Sequence, residues 1–268
     1  MIAFDHTARI YDQEFTRSPI GVMQRKRVRR FLENNLSDDH PADILELNCG
    51  TGEDAVWLAA NNHSILATDI SAEMVDIARQ KAALQQAGNN IRFKVMDILA
   101  SQKSLGGEKY DLVFSNFGGF NCLDEQQFAG WLKEQLPELL KPGGKLVVVL
   151  MSVFCAWESL YFLSKGQFGK AFRRLSKGPA EGRLSASSVV NTWYYSPAWI
   201  RRQLPENLTL TAVKPIGLFI PPSCLNSFFS TRKTLLAKLE QMENGIGQAG
   251  AAAFLSDHYL AEIQWKPL

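Results

Sequence analysis

Gly50-Thr51-Gly52-Glu53-Asp54-Ala55 matches G-x-G-x-x-[GA], between an apolar strand pattern at Asp43–Leu47 and a helical pattern from Glu53. Glycines in such a turn let a ligand approach the backbone closely. Asp69 lies 17 residues past Gly52, at the end of the next strand pattern. A carboxylate there suits a ribose diol. These residues predict a nucleotide-like cofactor and leave its kind open.

Charge separates the candidates. A dinucleotide would place its pyrophosphate at the helix N-terminus. Here Glu46 stands four residues before Gly50, and Glu53 and Asp54 follow Gly52 directly. Two unit charges about 4 Å apart cost roughly 4 kcal/mol at an effective dielectric near 20. S-adenosylmethionine carries no phosphate, and its amino group and sulfonium are cationic. The loop is therefore expected to take S-adenosylmethionine in preference to NAD.

The elements needed to position these residues follow from hydropathy and caps. Ser18-Pro19 opens a helix to about Leu36, with Ser as N-cap and Pro at the first helical position. Strands are expected at 43–47, 64–68, 91–96, 110–114 and 145–151, with helices at 53–60, from Ser71 to a stop at Gly88, and at 124–140. Strands alternating with helices give a parallel sheet, and ligands bind at the carboxyl ends of its strands. The expected architecture is α/β: a Rossmann-like, seven-stranded, mostly parallel sheet with helices on both faces and a helical lid insertion. The remaining strands are placed at 208–216 and 259–265, and further helices at 197–204 and 231–243. One domain spans 1–268, divided into N-terminal cap helices (1–40), a cofactor-binding core (41–151), an insertion or lid (152–195) and the C-terminal part of the sheet (196–268).

DILELNCGTGEDAVWLA, ILATDIS, FKVMDI, YDLVFSNF and LKPGGKLVVVL resemble the ordered motifs of class I S-adenosylmethionine-dependent methyltransferases, from about Tyr11 to Met151. The resemblance implies that Glu46 and the 48–52 loop (Asn48, Gly50, Thr51, Gly52) face the methionine part. It implies that Asp69 holds the ribose, with Ile70 and Ile98 on either side of the adenine and Asp97 at its amino group. Ser115, Asn116 and Phe117 would lie near the methyl and the acceptor, and Tyr11 would close over the methionine end. Met74 lies near the adenine in many relatives, although plain core is the simpler reading. Asn48 stands where the family has glycine. It tolerates positive φ, and its amide is a candidate for the methionine carboxylate.

The acceptor side is less legible. His6, Tyr11, Tyr194, Tyr195 and His258 are the available bases; no catalytic residue is assigned, since a base is needed only for a protonated acceptor. QRKRVRR at 24–30 and the lysines and arginines of 151–188 form two basic clusters, read as solvated faces, as a site for an anionic acceptor, or with Arg25 pairing the cofactor carboxylate. Aromatics around Trp157 to Phe172 and Trp193 to Tyr195 suit an apolar or aromatic small molecule.

The chain has 268 residues, 46% apolar and 21% charged, with net charge +2. Neither disorder nor a nucleic-acid-binding surplus of charge fits these values. Cys49, Cys122, Cys155 and Cys224 match no zinc or disulfide spacing, which suggests reduced thiols in the cytoplasm and no metal. No apolar leader opens the sequence, and Leu146 to Leu163 reads as a buried strand running into a helix. The partner expected is a small-molecule acceptor, with no nucleic acid and no membrane. The competing functions are an NAD-dependent oxidoreductase on the same sheet and a non-catalytic cofactor-binding regulatory subunit.

Overall fold

Near-continuous apolar runs explain how the central strands bury both faces. A computed structural model describes residues 4–36, 40–87, 90–176, 178–183, 189–247 and 250–266. Strands β1 (Asp43–Leu47), β2 (Ser64–Asp69), β3 (Ile91–Val95), β4 (Tyr110–Ser115) and β5 (Leu140–Met151) run parallel. A short ribbon, β6 (Ala180–Arg183) and β7 (Val189–Thr192), follows. Then β8 (Leu208–Ile216) and β9 (His258–Trp265) complete the sheet antiparallel, in the order β3-β2-β1-β4-β5-β9-β8. Leu45, Val113 and Val148 pack against Phe128 and Trp131 on one face. Ile44, Leu112 and Val147 pack against Val28, Phe31 and Leu58 on the other. The seven-stranded Rossmann-like sheet is thus as expected. After β1 the chain builds outward to β2 and β3, then returns to β4 on β1's other side. The carboxyl ends of β1 and β4 flank this switch point, where such folds bind ligands.

Several boundaries differ from the sequence expectation, each for a local reason. The helix from Ser71 ends at Leu84, which is 85% exposed. Its left-handed cap is Gln86 (φ 51°), while Gly88 lies outside the described residues. The expected 124–140 helix starts with a capping box of Asp124 and Gln127 but passes into a wide turn at Trp131–Gln135. Pro137 has no N–H to continue the α pattern. Strand β5 begins at Leu140, because Tyr110 pairs with Leu140 before the register shifts. The helix opened by Ser18 ends at Glu33. His63, in the loop before β2, is buried and accepts the Ala42 N–H at 3.2 Å.

The 152–195 insertion mixes helix and strand. It holds a helix at Ala156–Ser164, a short one at Phe168–Ala171, and the β6–β7 ribbon. The run from Leu146 to Leu163 is strand β5 followed by this first helix. Among the described residues no helix is long and apolar enough to cross a membrane.

Gly52 shows how tightly the turn before the Glu53–Ala60 helix is set against the helix at Ala72–Leu84. Its φ is 76°, and a Cβ there would lie 2.7 Å from the Ala78 Cβ. Gly52→Ala should lower the unfolding free energy by about 1–3 kcal/mol from the left-handed backbone, with the clash added. Gly106→Ala, at φ 58° with nothing within 4 Å, isolates the backbone part. Urea unfolding of both variants measures the difference.

Candidate active site at the strand ends

Glu46 is buried in β1 at 2% exposure, and its Oε2 has no hydrogen-bond partner. Burial, reinforced by Asp54 and opposed by Arg25 and Arg29, pushes its carboxyl well above the ordinary value. The other two acids are differently placed. Asp54, equally buried, pairs with Arg25, with Arg29 Nε at 2.9 Å and with the Asn116 amide at 2.8 Å. Burial alone would raise its carboxyl, but the two arginines outweigh burial and hold it below the usual range. Glu53 takes Lys81 at 3.0 Å and Arg29 at 3.6 Å. The sequence argument from three repelling carboxylates therefore narrows to Glu46, since arginine and lysine neutralise the others.

Asn48 adopts φ 50°, as its tolerance of the left-handed region predicts. Its Oδ1 accepts the Ser115 hydroxyl at 2.5 Å, and its Nδ2 donates to the Asn116 carbonyl at 2.9 Å. One amide N–H of two remains for a ligand. Gly119 makes room for this clip between β1 and β4, since a Cβ there would lie 2.1 Å from the Asn48 Cγ. Gly50 is open: a Cβ would meet only Tyr11 Cε1, at 3.9 Å.

Asp69 Oδ2 accepts the Gly50 N–H and Oδ1 the Ser71 N–H, both at 2.9 Å. Burial raises its carboxyl, and these backbone donors oppose the rise. Ile70 beside it is 45% exposed, and Ile98 is half-buried against the core. Asp97 is exposed and caps the turn after β3 by accepting the Leu99 N–H at 2.9 Å. Met74 is core.

The N-terminal segment lies across this edge. Asp12 accepts from the Thr51 hydroxyl at 2.5 Å and pairs with Lys81 at 2.8 Å, while Asp5 accepts from Ser71 Oγ at 2.6 Å. Tyr11 sits over Gly50, and burial pushes its phenol up to about 12. Phe15 meets the Phe117 ring edge-on at 5.0 Å. Phe117, at φ 49°, also faces the Arg25 guanidinium at 5.2 Å and His258 at 5.6 Å. Asp5, Asp12, Phe15 and Lys81 were absent from the sequence reading, because only folding brings them to the loop.

Arg25 is buried and not solvated: its guanidinium pairs with Asp54, and its Nε has no hydrogen-bond partner. Elsewhere in the 24–30 cluster, Arg27 pairs with Glu243 at 3.3 Å and Lys26 with Glu240 at 3.4 Å. Of the base candidates, Tyr195 donates its hydroxyl to the Leu123 carbonyl at 2.5 Å. Tyr194 lies against Arg174 at 5.2 Å, and His6 is exposed. His258 lies 3.1 Å from Asp257 through Nδ1.

A family profile described as a methyltransferase domain matches residues 44–144. A ubiquinone/menaquinone biosynthesis C-methyltransferase from Geotalea daltonii is 29% identical over 163 residues, 59% of this chain and 66% of that protein. A demethylmenaquinone methyltransferase from a Mycobacterium species is 30% identical over 179 residues, 66% of this chain and 70% of that protein. The chain belongs to the class I S-adenosylmethionine-dependent methyltransferases. It spans about two thirds of the length of these relatives. Among solved structures, the CcbJ methyltransferase of Streptomyces caelestis superposes with TM-score 0.64 at 18% identity, covering 100% of this chain and 99% of that one. The DhpI–SAH complex gives 0.59 at 15%, covering 99% and 94%. These two support the fold. Membership sets the methyltransferase reading above the oxidoreductase and non-catalytic alternatives, and makes S-adenosylmethionine the cofactor. An unpartnered buried carboxylate oxygen beside an open glycine turn fits a cationic ligand of this kind.

The methyltransferase should depend on the Arg25–Asp54 pair for stability. Breaking a buried pair costs about 3–5 kcal/mol, and Arg29 remains in Arg25→Met, so the low end is expected in urea unfolding. The depressed Asp54 pKa adds stability that is fully present above the unfolded value, 3.8, and is lost as pH falls through the folded value. Arg25→Met should flatten that acid limb, which unfolding midpoints across the acid range would record.

Proposed function

We propose that this methyltransferase transfers a methyl group to a small aromatic acceptor of the quinol type, in the cytoplasm. The relatives named for ubiquinone and menaquinone biosynthesis support the acceptor class, as do the aromatic rings that gather beyond β4. The four free cysteines fit a reducing compartment.

The observation that carries the site assignment is Glu46, whose buried oxygen lacks a partner. In this reading Glu46 meets the cationic methionine end, and the free Asn48 N–H meets its carboxylate. Thr51, Gly50 and Gly52 line the approach, and Tyr11 covers it. Asp69 accepts from the ribose hydroxyls, with Ile70 and Ile98 against the adenine and Asp97 at its amino group. Arg25 acts through Asp54, holding it and Asn116 in place. Ser115 and Phe117 border the acceptor side, and the 152–195 segment forms its lid. The sulfonium activates its methyl carbon for in-line displacement, so the protein chiefly aligns acceptor and donor.

Asp69→Ala should weaken S-adenosylhomocysteine binding by about 1–3 kcal/mol through lost charge-assisted hydrogen bonds. Calorimetric titration reads this directly, and an unchanged affinity would remove Asp69 from the site. Because Glu46 titrates high when nothing faces it, an incoming cation should drive its proton off. Affinity should then rise with pH, and wild-type titrations in buffers of different ionisation enthalpy should show proton release that Glu46→Gln abolishes. Labelled S-adenosylmethionine incubated with a demethylated naphthoquinol should yield a labelled quinol. Cofactor binding without that product would reject the acceptor class and leave the methyltransferase assignment standing.

A further inference from the structure

The insertion carries a surface that the active site does not use. Leu160 and Phe168 are 64% and 67% exposed, and Phe172 and Leu175 are also exposed. Lys165 and Lys170 lie among them, also exposed, with cationic ends over the rings of Tyr161 (4.3 Å) and Phe162 (5.9 Å). The only acid between residues 154 and 176 is Glu158. It is buried and neutralised by Arg173 and Arg174 at 2.7 Å.

The neighbouring segment continues the pattern. Trp157 packs edge-on against Phe229 at 5.7 Å, joining the insertion to the helical stretch around residues 226–236. There Phe228 and Leu235 are exposed, Arg232 lies 3.8 Å over Phe228, and no acid occurs between residues 223 and 239. The scaffold beneath is firm, because Arg174 also bonds Asp257 at 2.8 Å and ties the insertion to β9.

Large exposed apolar side chains grouped in this way mark an interaction site. The chemistry selects among partners. A second copy meeting this face through a two-fold axis would oppose lysine to lysine with no acid between them. Nucleic acid would use the rings and cations but has no use for Leu160, Leu175 and Leu235, which offer no stacking plane. An anionic lipid surface uses all three kinds. Rings and aliphatic side chains enter the acyl boundary, while lysine stems snorkel to the headgroups.

We propose that the exposed face of residues 160–175, extended by the Phe228–Leu235 segment, docks peripherally on an anionic membrane surface. The sequence offers no spanning segment and so predicted no membrane partner; this contact needs none. Docking would hold the insertion, and the acceptor side it borders, against the layer in which apolar small molecules concentrate. The inference stands on the surface alone, independent of the acceptor's identity.

Co-sedimentation of the full chain with vesicles tests it. Phosphatidylglycerol-rich vesicles should pull the protein down and pure phosphatidylcholine vesicles far less, with binding weakened by salt. Lys165→Gln with Lys170→Gln should lower the partition about 25-fold, near fivefold per lysine, and Phe168→Ser about tenfold. S-adenosylhomocysteine titration and circular dichroism should be unchanged in both variants, which separates lost docking from lost folding or a lost cofactor site. Failure of the wild type to sediment with anionic vesicles while it still binds S-adenosylhomocysteine would overturn the proposal. So would equal binding to both vesicle types, or a dimer in solution abolished by Phe168→Ser in a protein that ignores vesicles. Capture of a single-stranded oligonucleotide in place of vesicles would overturn it equally.

Discussion

The desolvated Asp54 carboxylate is the constraint around which the cofactor end of the sheet is arranged. A buried carboxylate requires compensation from every side, and here two separate parts of the chain supply it. Arg25 and Arg29 come from the Pro19–Glu33 helix, and Asn116 from the end of β4. Asp54 itself opens the helix after the glycine turn. One charge therefore fixes the N-terminal helix, the first crossover and the acceptor-side loop relative to one another. Its neutralisation is also what singles out Glu46. With Asp54 and Glu53 satisfied, Glu46 Oε2 is left, among the described residues, as a buried carboxylate oxygen without a partner near the turn, beside the equally unpartnered Asn116 Oδ1.

A second buried charge does the same just before β9, on the same edge of the sheet. Asp257 receives Arg174 on one oxygen and lies against Gln24 and His258 with the other. His258 and Arg174 help hold its carboxyl far below the ordinary range against burial. Through Arg174 and Glu158 this links the insertion to the sheet, and through Gln24 to the same N-terminal helix that serves Asp54. The cofactor loop and the insertion thus share one helix as a strut. The free surface of the insertion can carry exposed apolar side chains without loosening the site beneath.

Much of this was legible from spacing. The glycine turn, Asp69 and the succession of strands and helices follow from hydropathy, caps and turn chemistry, which act over a few residues. The positive φ of Asn48 follows equally from its side chain. The misjudged features depend on distant partners. Arg25 reads as part of a solvated basic face until folding buries it against Asp54. The ring of acids looked uniformly repulsive because a sequence shows charges and not their counterions.

The sequence by itself determined the alternation of strands and helices and the positions at which the strands end, since periodicity and turn residues encode these locally, and its ordered motifs pointed to S-adenosylmethionine by resemblance. Only the tertiary structure decided which carboxylate stays unpaired, which arginines are consumed as internal partners, and which apolar side chains of the insertion remain uncovered. Burial and ion pairing are properties of groups brought together from distant parts of the chain, and no local pattern records them.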